Sequence, residues 1–336
     1  MMRVALFIMP LAFAAAAGAQ TAEPQSFLKV EQHAIRSSVN HLDYRLFVSL
    51  PAGYSANDTT TYPVLYALDG NYSFQLIQAV SGYLQNGSAI PRIIIVGAGY
   101  PDSSNSDIRR RMDLTPSSDP KGDSLERRVY LQPGDTTSRL PSGGAPAFLE
   151  TLRHDVIPLI ERTYRTSGDR ALLGHSFGGL FTLYTLYTAP QLFGRYGIFS
   201  PATWWDQKRL LDQISKVKLP RGPAAARVVV AVGADEDEGM RAEADSVSAL
   251  LTRVYGAQLT LMGRKNPGNH SSYFPEALSP GLAFLYESGA SGCLKGSSST
   301  GQLYAVFSGP DRVATERFAR NGNDVSGLVF QNGRCI

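Results

Sequence analysis

The chain has 336 residues, of which 43% are apolar, 10% aromatic and 18% charged. That apolar share suffices for a buried core and excludes wholesale disorder, while the length admits one large domain or two ordinary ones. The net charge of +3 is too balanced for a nucleic-acid-binding face, two cysteines exclude a disulfide scaffold or cysteine-rich zinc module, and five histidines leave little for a His-built metal centre.

Arg3 is the first charge, and the next is Glu23. Between them an apolar run from Val4 passes through Pro10 and an alanine stretch to Ala17-Gly18-Ala19, a small-x-small cleavage pattern. Residues 1–19 therefore read as a secretory signal peptide, too short to span a bilayer, and stable membrane insertion after cleavage is not expected. Leu42 to Leu50 alternates as a strand, and Pro51-Ala52-Gly53-Tyr54 turns the chain. Tyr62 to Leu68, Ile93 to Val96, Ala171 to Leu173 and Val228 to Val232 are short apolar runs with glycine close behind. Such runs read as buried parallel strands. Phe148, Leu152, Val156, Ile160 and Tyr164 share one helical face, with Pro158 a kink or restart. Leu180 to Tyr187 is apolar nearly all round, as in a helix buried against a sheet. Alternating strands and helices predict an α/β domain with a mostly parallel sheet, over residues 20–288.

Residues 101–143 interrupt this pattern. The stretch is rich in Ser, Pro, Asp and Arg and has little periodicity, so it is expected to be a substrate-side insertion. Near Ser288 the composition shifts to Gly and Ser, and residues 289–336 read as a small appendage with a strand at Leu303 to Phe307, a helix at Asp311 to Arg320 and a strand at Val325 to Phe330. Cys293 and Cys335 bracket it. In an exported chain they are expected to pair, and a loop of that size stabilises by about 3–4 kcal/mol.

The sharpest feature is Gly174-His175-Ser176-Phe177-Gly178-Gly179, between a predicted strand and a predicted helix. A G-x-S-x-G sequence in that setting thrusts the serine hydroxyl outward on a tight, strained turn. A hydroxyl is a weak nucleophile, so it needs a base, and the base needs an orienting acid. In this architecture the order is serine, acid, histidine. His270 alone follows Ser176; His33, His41 and His154 precede it, and His175 lies inside the elbow, where it is poorly placed to act as base. For the acid, Gly233-Ala234-Asp235-Glu236-Asp237-Glu238 offers four carboxylates. Glu236, three after the glycine, is chosen, with Asp235 and Asp237 as alternatives. The oxyanion donors are expected to be the N–H groups of Phe177, at the helix N-terminus, and of Asn71, in the turn after Tyr62 to Leu68, where Gly70 would let the backbone bend.

Four stretches together resemble the esterase-D-type "putative esterase" branch of the α/β-hydrolase superfamily, and within it the ferri-siderophore esterases that open enterobactin and salmochelin trilactones. They are Tyr62 to Gly70, Arg110-Arg111-Met112-Asp113-Leu114-Thr115-Pro116, Gly174 to Leu180 and Ser200-Pro201-Ala202-Thr203-Trp204-Trp205-Asp206. The resemblance runs from about Leu42 to Leu285. It implies an α/β-hydrolase fold and a serine esterase with Ser176 as nucleophile, His270 as base and a glutamate at 236. It also implies that Arg110 helps bind an anionic or catecholate-bearing substrate, and Trp204 is placed beside it as a substrate contact. The tail from about Cys293 matches nothing in that branch.

The expected partner is a small-molecule ester; no cofactor is indicated, since phosphate-loop and dinucleotide patterns are absent, and no metal or nucleic acid is expected. Four Asn-x-Ser/Thr sequons, at Asn57, Asn71, Asn86 and Asn269, are read as incidental. Feruloyl or carbohydrate esterases and acyltransferases use a similar site, and a non-catalytic binding protein on the same scaffold is the reading from another class.

Overall fold

Continuous β-branched runs need apolar cover on both faces. The computed structural model describes residues 30–101, 106–124, 142–217, 226–287 and the backbone of 303–307. The expected signal segment, both cysteines and the expected helix and last strand of the appendage lie outside the described residues. Among the described residues, nine strands form one sheet in the order β1-β2-β4-β3-β5-β6-β7-β8-β9. They are β1 (Val30–Arg36), β2 (Asp43–Ser49), β3 (Tyr62–Ala67), β4 (Ile94–Gly99), β5 (Thr166–His175), β6 (Arg195–Phe199), β7 (Ala226–Gly233), β8 (Leu259–Asn266) and β9 (Leu303–Phe307). The six from β4 to β8 in that order run parallel, whereas β1 and β2 at one edge and β9 at the other pair antiparallel. This is the α/β-hydrolase architecture. Leu303 to Phe307, read as the start of the appendage, adds to the main sheet beside β8.

Period-two alternation sorts the strand side chains. Leu172, Val228, Val230 and Val232 enter one apolar cluster, whereas Leu173, Val229 and Ala231 enter the other. Helices α1 (Gly70–Asn86) and α8 (Phe274–Tyr286) cover the second face. The first is covered by α3 (Ala145–Thr151), α4 (Ile157–Thr163), α5 (Phe177–Thr188), α6 (Arg209–Ser215) and α7 (Glu238–Tyr255). A π turn at Leu152–Val156 joins α3 to α4 just before Pro158. That is the interruption the proline foretold, because its ring cannot donate to the helix ladder.

Residues 106–114, inside the stretch expected to lack periodic structure, form helix α2 (Ser106–Leu114). The helix shows no long apolar stripe because charge pairs do much of its anchoring: Arg110 meets Asp69 and Arg111 meets Asp123. It packs against α5, and so stands beside the elbow.

Close packing at the elbow requires glycine. A Cβ on Gly174 would overlap the Gly178 backbone, and one on Gly179 would lie 2.6 Å from the Phe199 carbonyl oxygen. Gly174→Ala is therefore expected to lower the thermal midpoint by roughly 2–5 °C, since overpacking costs about 1–3 kcal/mol and the turn cannot relax freely. Gly194→Ala, where an added Cβ meets nothing within 4 Å, is the control and should melt within about 1 °C of the parent. Equal midpoints for the two variants in a calorimetric scan would contradict this.

Candidate active site

Ser176 joins β5 to α5 with φ 60° and ψ −117°, a conformation that L residues rarely adopt. Holding a non-glycine residue there costs about 1–3 kcal/mol, so the surroundings must over-determine it. They do so with backbone bonds: Ser176 N–H donates to the Phe199 carbonyl at 2.9 Å, and its own carbonyl accepts from Leu180 at 3.0 Å and Ala202 at 3.1 Å. Strand ends β5 and β6 thus grip the turn from below while α5 begins above it.

The acidic turn after β7 resolves into separate roles. Asp237 caps α7, its Oδ1 accepting from Met240 N–H at 3.0 Å. Asp235 ties the neighbouring loop, accepting from Gly268 N–H at 3.2 Å while its own N–H donates to the Gly268 carbonyl at 3.0 Å. Glu238 begins α7 on the surface. Glu236 points inward and is 5% exposed. Its Oε2 accepts from His270 Nδ1 at 2.7 Å, and its Oε1 accepts from Ser200 Oγ at 2.5 Å and Gly233 N–H at 2.8 Å. Burial alone would raise this carboxyl, but the donors from His270, Ser200 and Gly233 outweigh it and hold Glu236 below the ordinary carboxylate range. A carboxylate can only accept, so His270 carries its proton on Nδ1. Its Nε2 then keeps a lone pair, as a general base needs.

His175 turns towards the base loop. Its Nε2 lies 2.8 Å from the His270 backbone oxygen, and the two rings sit 4.5 Å apart. Burial pushes His175 down to about 4, so it stays neutral near pH 7. It stands next to the serine, yet its hydrogen bond is committed elsewhere, in keeping with the expectation that it is poorly placed to be the base.

On the opposite side of the elbow, Asn71 is the second residue of α1. Its side chain makes a two-way bridge to the end of β4, accepting from Tyr100 N–H at 2.7 Å and donating to the Tyr100 carbonyl at 3.0 Å. The sharp bend is at Asp69, with φ 56°, and not at Gly70. Gly70 is required for space instead: a Cβ there would lie 2.9 Å from the Gly97 carbonyl carbon. Aspartate tolerates the left-handed region better than most side chains, which is why the bend could move one residue upstream.

The three consecutive arginines, a cluster by sequence, diverge in space. Arg109 lies over the Tyr44 and Tyr100 rings, Arg110 forms a two-point pair with Asp69 at 2.7 and 2.8 Å, and Arg111 pairs with Asp123 and covers Trp205. The Arg110 pair uses Nε and Nη2, and its guanidinium also lies 5.4 Å from the Phe177 ring. Trp204 is 44% exposed and lies 5.8 Å from Phe177, while its neighbour Trp205 is buried and donates to the Ser117 carbonyl. An aromatic wall with a cationic backing thus flanks the elbow. A cavity of about 510 Å³ lies further along α5, lined by Tyr184, Tyr187 and Trp205, and none of Ser176, His270 and Glu236 lines it.

The sequence profile of the family described as "Putative esterase" matches residues 37–278. The chain belongs to this esterase family. Among curated relatives it is 30% identical to the ferri-bacillibactin esterase BesA of Bacillus subtilis (strain 168) over 174 residues, and 34% identical to a siderophore enterobactin esterase of Emericella nidulans over 184 residues. Each alignment covers 51% of this chain and 57% of the relative, so the chain spans a little over half the length of those proteins. The crystal structure of the BES protein from Bacillus cereus superposes with a TM-score of 0.64 at 29% identity, over 79% of this chain and all of the other. The siderophore hydrolase EstA from Aspergillus nidulans, at 24% identity, shares the fold with a TM-score of 0.61, over 82% of this chain and 99% of the other.

Two members of the site, Ser200 and Tyr273, escaped sequence reading. Ser200, at φ 37° and fully buried, donates to the proposed acid and lies 2.7 Å from the Tyr273 hydroxyl. With the serine proton directed to Glu236, the Tyr273 hydroxyl has two acceptors for its own proton, Ser200 Oγ and the Ala231 carbonyl at 3.3 Å. The signal was partly visible, since Ser200 opens the Ser-Pro-Ala-Thr-Trp-Trp motif, but nothing local to that motif points to residue 236. The bridging role of the Asn71 side chain was likewise unforeseen.

These contacts predict a graded response. Glu236→Gln should lower kcat for a simple ester by about 10³–10⁴-fold, as removal of an orienting acid does elsewhere. Asp237→Asn, which keeps the helix cap, and Asp235→Asn should each stay within about threefold of the parent. A larger loss at Asp235 or Asp237 than at Glu236 would reassign the acid.

Proposed function

We propose that the chain is an exported serine ester hydrolase. The observation that carries this reading is the 2.7 Å contact between Glu236 Oε2 and His270 Nδ1, beside a serine held at positive φ on a strand-to-helix turn. His270 Nε2 takes the Ser176 proton as Oγ attacks the ester carbonyl. The N–H groups of Phe177 and Asn71 stabilise the tetrahedral oxyanion. Collapse expels the alcohol, which His270 protonates, and leaves an acyl-serine. Water then attacks, again deprotonated by His270, and the acid is released with Ser176 restored. Glu236 stays ionised and offsets the imidazolium charge in both halves.

The substrate class follows from the wall around the elbow. Exposed Trp204, packed against buried Phe177, offers a stacking face, and Arg110 keeps its Nη1 outside the pair with Asp69. A polar aromatic ester, such as a catecholate-bearing lactone of the siderophore type, suits such a surface, and the esterases named above act on siderophores. Export rests on the pattern of residues 1–19, so the ester would be met outside the cytoplasm or on its way in. Among the described residues, no helix is long and apolar enough to cross a membrane.

Ser176→Ala should lower turnover by about 10⁴-fold or more and abolish labelling by a fluorophosphonate probe, while binding of substrate persists. Wild-type hydrolysis of p-nitrophenyl esters by that variant would overturn the mechanism. For the substrate, specificity constants on ferric and iron-free catecholate trilactones, feruloyl sugars and short p-nitrophenyl esters should rank the catecholate lactones first. Trp204→Ala should cut the aromatic substrates by about 2–10-fold and spare the aliphatic ones, given stacking worth roughly 0.5–1.5 kcal/mol. A feruloyl sugar ranking first would move the assignment to carbohydrate esters.

A further inference from the structure

Resting on the assignment of Ser176 and His270 just made, we propose that His175 is a positioning residue that sets the distance between nucleophile and base, by donating its Nε2–H to the backbone carbonyl of His270 and backing the imidazole with its ring. The loop that carries His270 joins β8 to α8 and is long enough to drift. Its side chains tie it mostly to itself: Asn269 Oδ1 accepts from Ser271 and Ser272 N–H at 3.1 Å each, and Ser272 Oγ accepts from Asn269 N–H at 2.9 Å. Bonds to Ala234 and Asp235 hold its first half to the β7 turn. Glu236 fixes His270 at Nδ1. One anchor on a ring sets direction but leaves it free to pivot, and Nε2 is on the far side of that pivot.

The second anchor comes from the elbow. A carbonyl oxygen can only accept, so His175 must present N–H at Nε2, and its tautomer is fixed without any appeal to the hydrogen positions. His175 is the residue before Ser176, so this single bond, 2.8 Å long, joins the nucleophile's strand end to the base loop. Without it the hydrogen-bonded route between the two groups is longer, running from Ser176 through Phe199 and Ser200 to Glu236 and then to His270. The ring contact acts in the same direction, since His175 lies 4.5 Å from His270 and 5.0 Å from Phe274 on the first turn of α8. The neutral state matters too. His270 becomes a cation each time it takes the serine proton, and a second cation against its face would oppose that step. Burial keeps His175 uncharged.

A role in packing alone would be met by another ring, whereas a tether needs a donor. His175→Phe keeps the ring and loses the N–H; His175→Gln loses the ring and keeps an amide donor of similar reach. Both are compared with the parent and with Ser176→Ala, by steady-state kinetics on a p-nitrophenyl ester and by the rate of fluorophosphonate labelling. His175→Phe is expected to lower kcat by about 10–100-fold and slow labelling by the same factor, with KM within about threefold, as a displacement near 1 Å does. His175→Gln is expected to stay within about 10-fold of the parent and above the phenylalanine variant. A phenylalanine variant equal to the parent, a glutamine variant no better than phenylalanine, or a change confined to KM would each overturn the tether. If His175→Phe does not fold, His175→Leu takes its place in the same comparison. Ser176→Ala separates the two levels: full activity there defeats the serine mechanism itself, whereas an inactive Ser176→Ala beside a fully active His175→Phe defeats only the tether.

Discussion

A carboxylate buried to the extent of Glu236 must be surrounded by donors or it would take up a proton, and the architecture of the site follows from meeting that demand. Each of its three donors comes from a different strand end. Ser200 follows β6, Gly233 ends β7, and His270 lies in the loop after β8. Because these strands are parallel, their carboxyl ends emerge on one edge of the sheet, and the donors converge without any long-range contortion of the chain. The demand for donors also explains the backbone at Ser200. Its positive φ turns the hydroxyl towards Glu236, a local strain offset by a charge-assisted hydrogen bond.

The opposite wall is organised by another charge pair. Asp69 takes the left-handed bend that α1 needs at its start, and its side chain turns away from the helix to meet Arg110 of α2. The same residue therefore shapes the proposed oxyanion turn and fastens the polar helix beside it. Arg110, Arg111 and the aromatic faces of Phe177 and Trp205 form one layer, in which each guanidinium has both a carboxylate and a ring. Such a layer is stiff, because planar guanidinium groups lose little more freedom once paired and stacked. A substrate arriving at the elbow meets a preformed surface on this side and the half-exposed imidazole on the other.

Much of this was legible from local pattern. Short apolar runs with glycine close behind announced the parallel strands, because a strand covered on both faces has no polar positions and must turn sharply on leaving the core. The serine elbow was legible because Gly174 and Gly178 have to be small wherever such a turn occurs. Scarcity identified the base candidate, since His270 is the sole histidine after the elbow. The edge strand β1 gave no comparable signal: its residues are half exposed, and alternation with polar neighbours dilutes the apolar count. Helix α2 was missed for a related reason. Ion pairs to Asp69 and Asp123 help anchor it, and these are contacts between distant segments that leave no periodic mark.

The distribution of roles among Asp235, Glu236 and Asp237 shows where sequence stops. The three are adjacent carboxylates whose differences lie in direction, and direction is set by how β7 leaves the sheet, where α7 begins and how far the His270 loop reaches back. The arginine triplet behaves alike: one run of charge is divided among different partners, Arg109 on the Tyr44 and Tyr100 rings, Arg110 on Asp69 and Arg111 on Asp123, because helical geometry points successive residues about 100° apart. By itself the sequence determined the layered α/β architecture and the glycine-flanked elbow, and it proposed a single histidine as base, because each depends on spacing along the chain or on the size of a single residue. Which carboxylate meets that histidine, where the bend before α1 falls, and that His175 and Ser200 belong to the site were decided only by the tertiary structure, because each depends on the ends of different strands being brought to one edge.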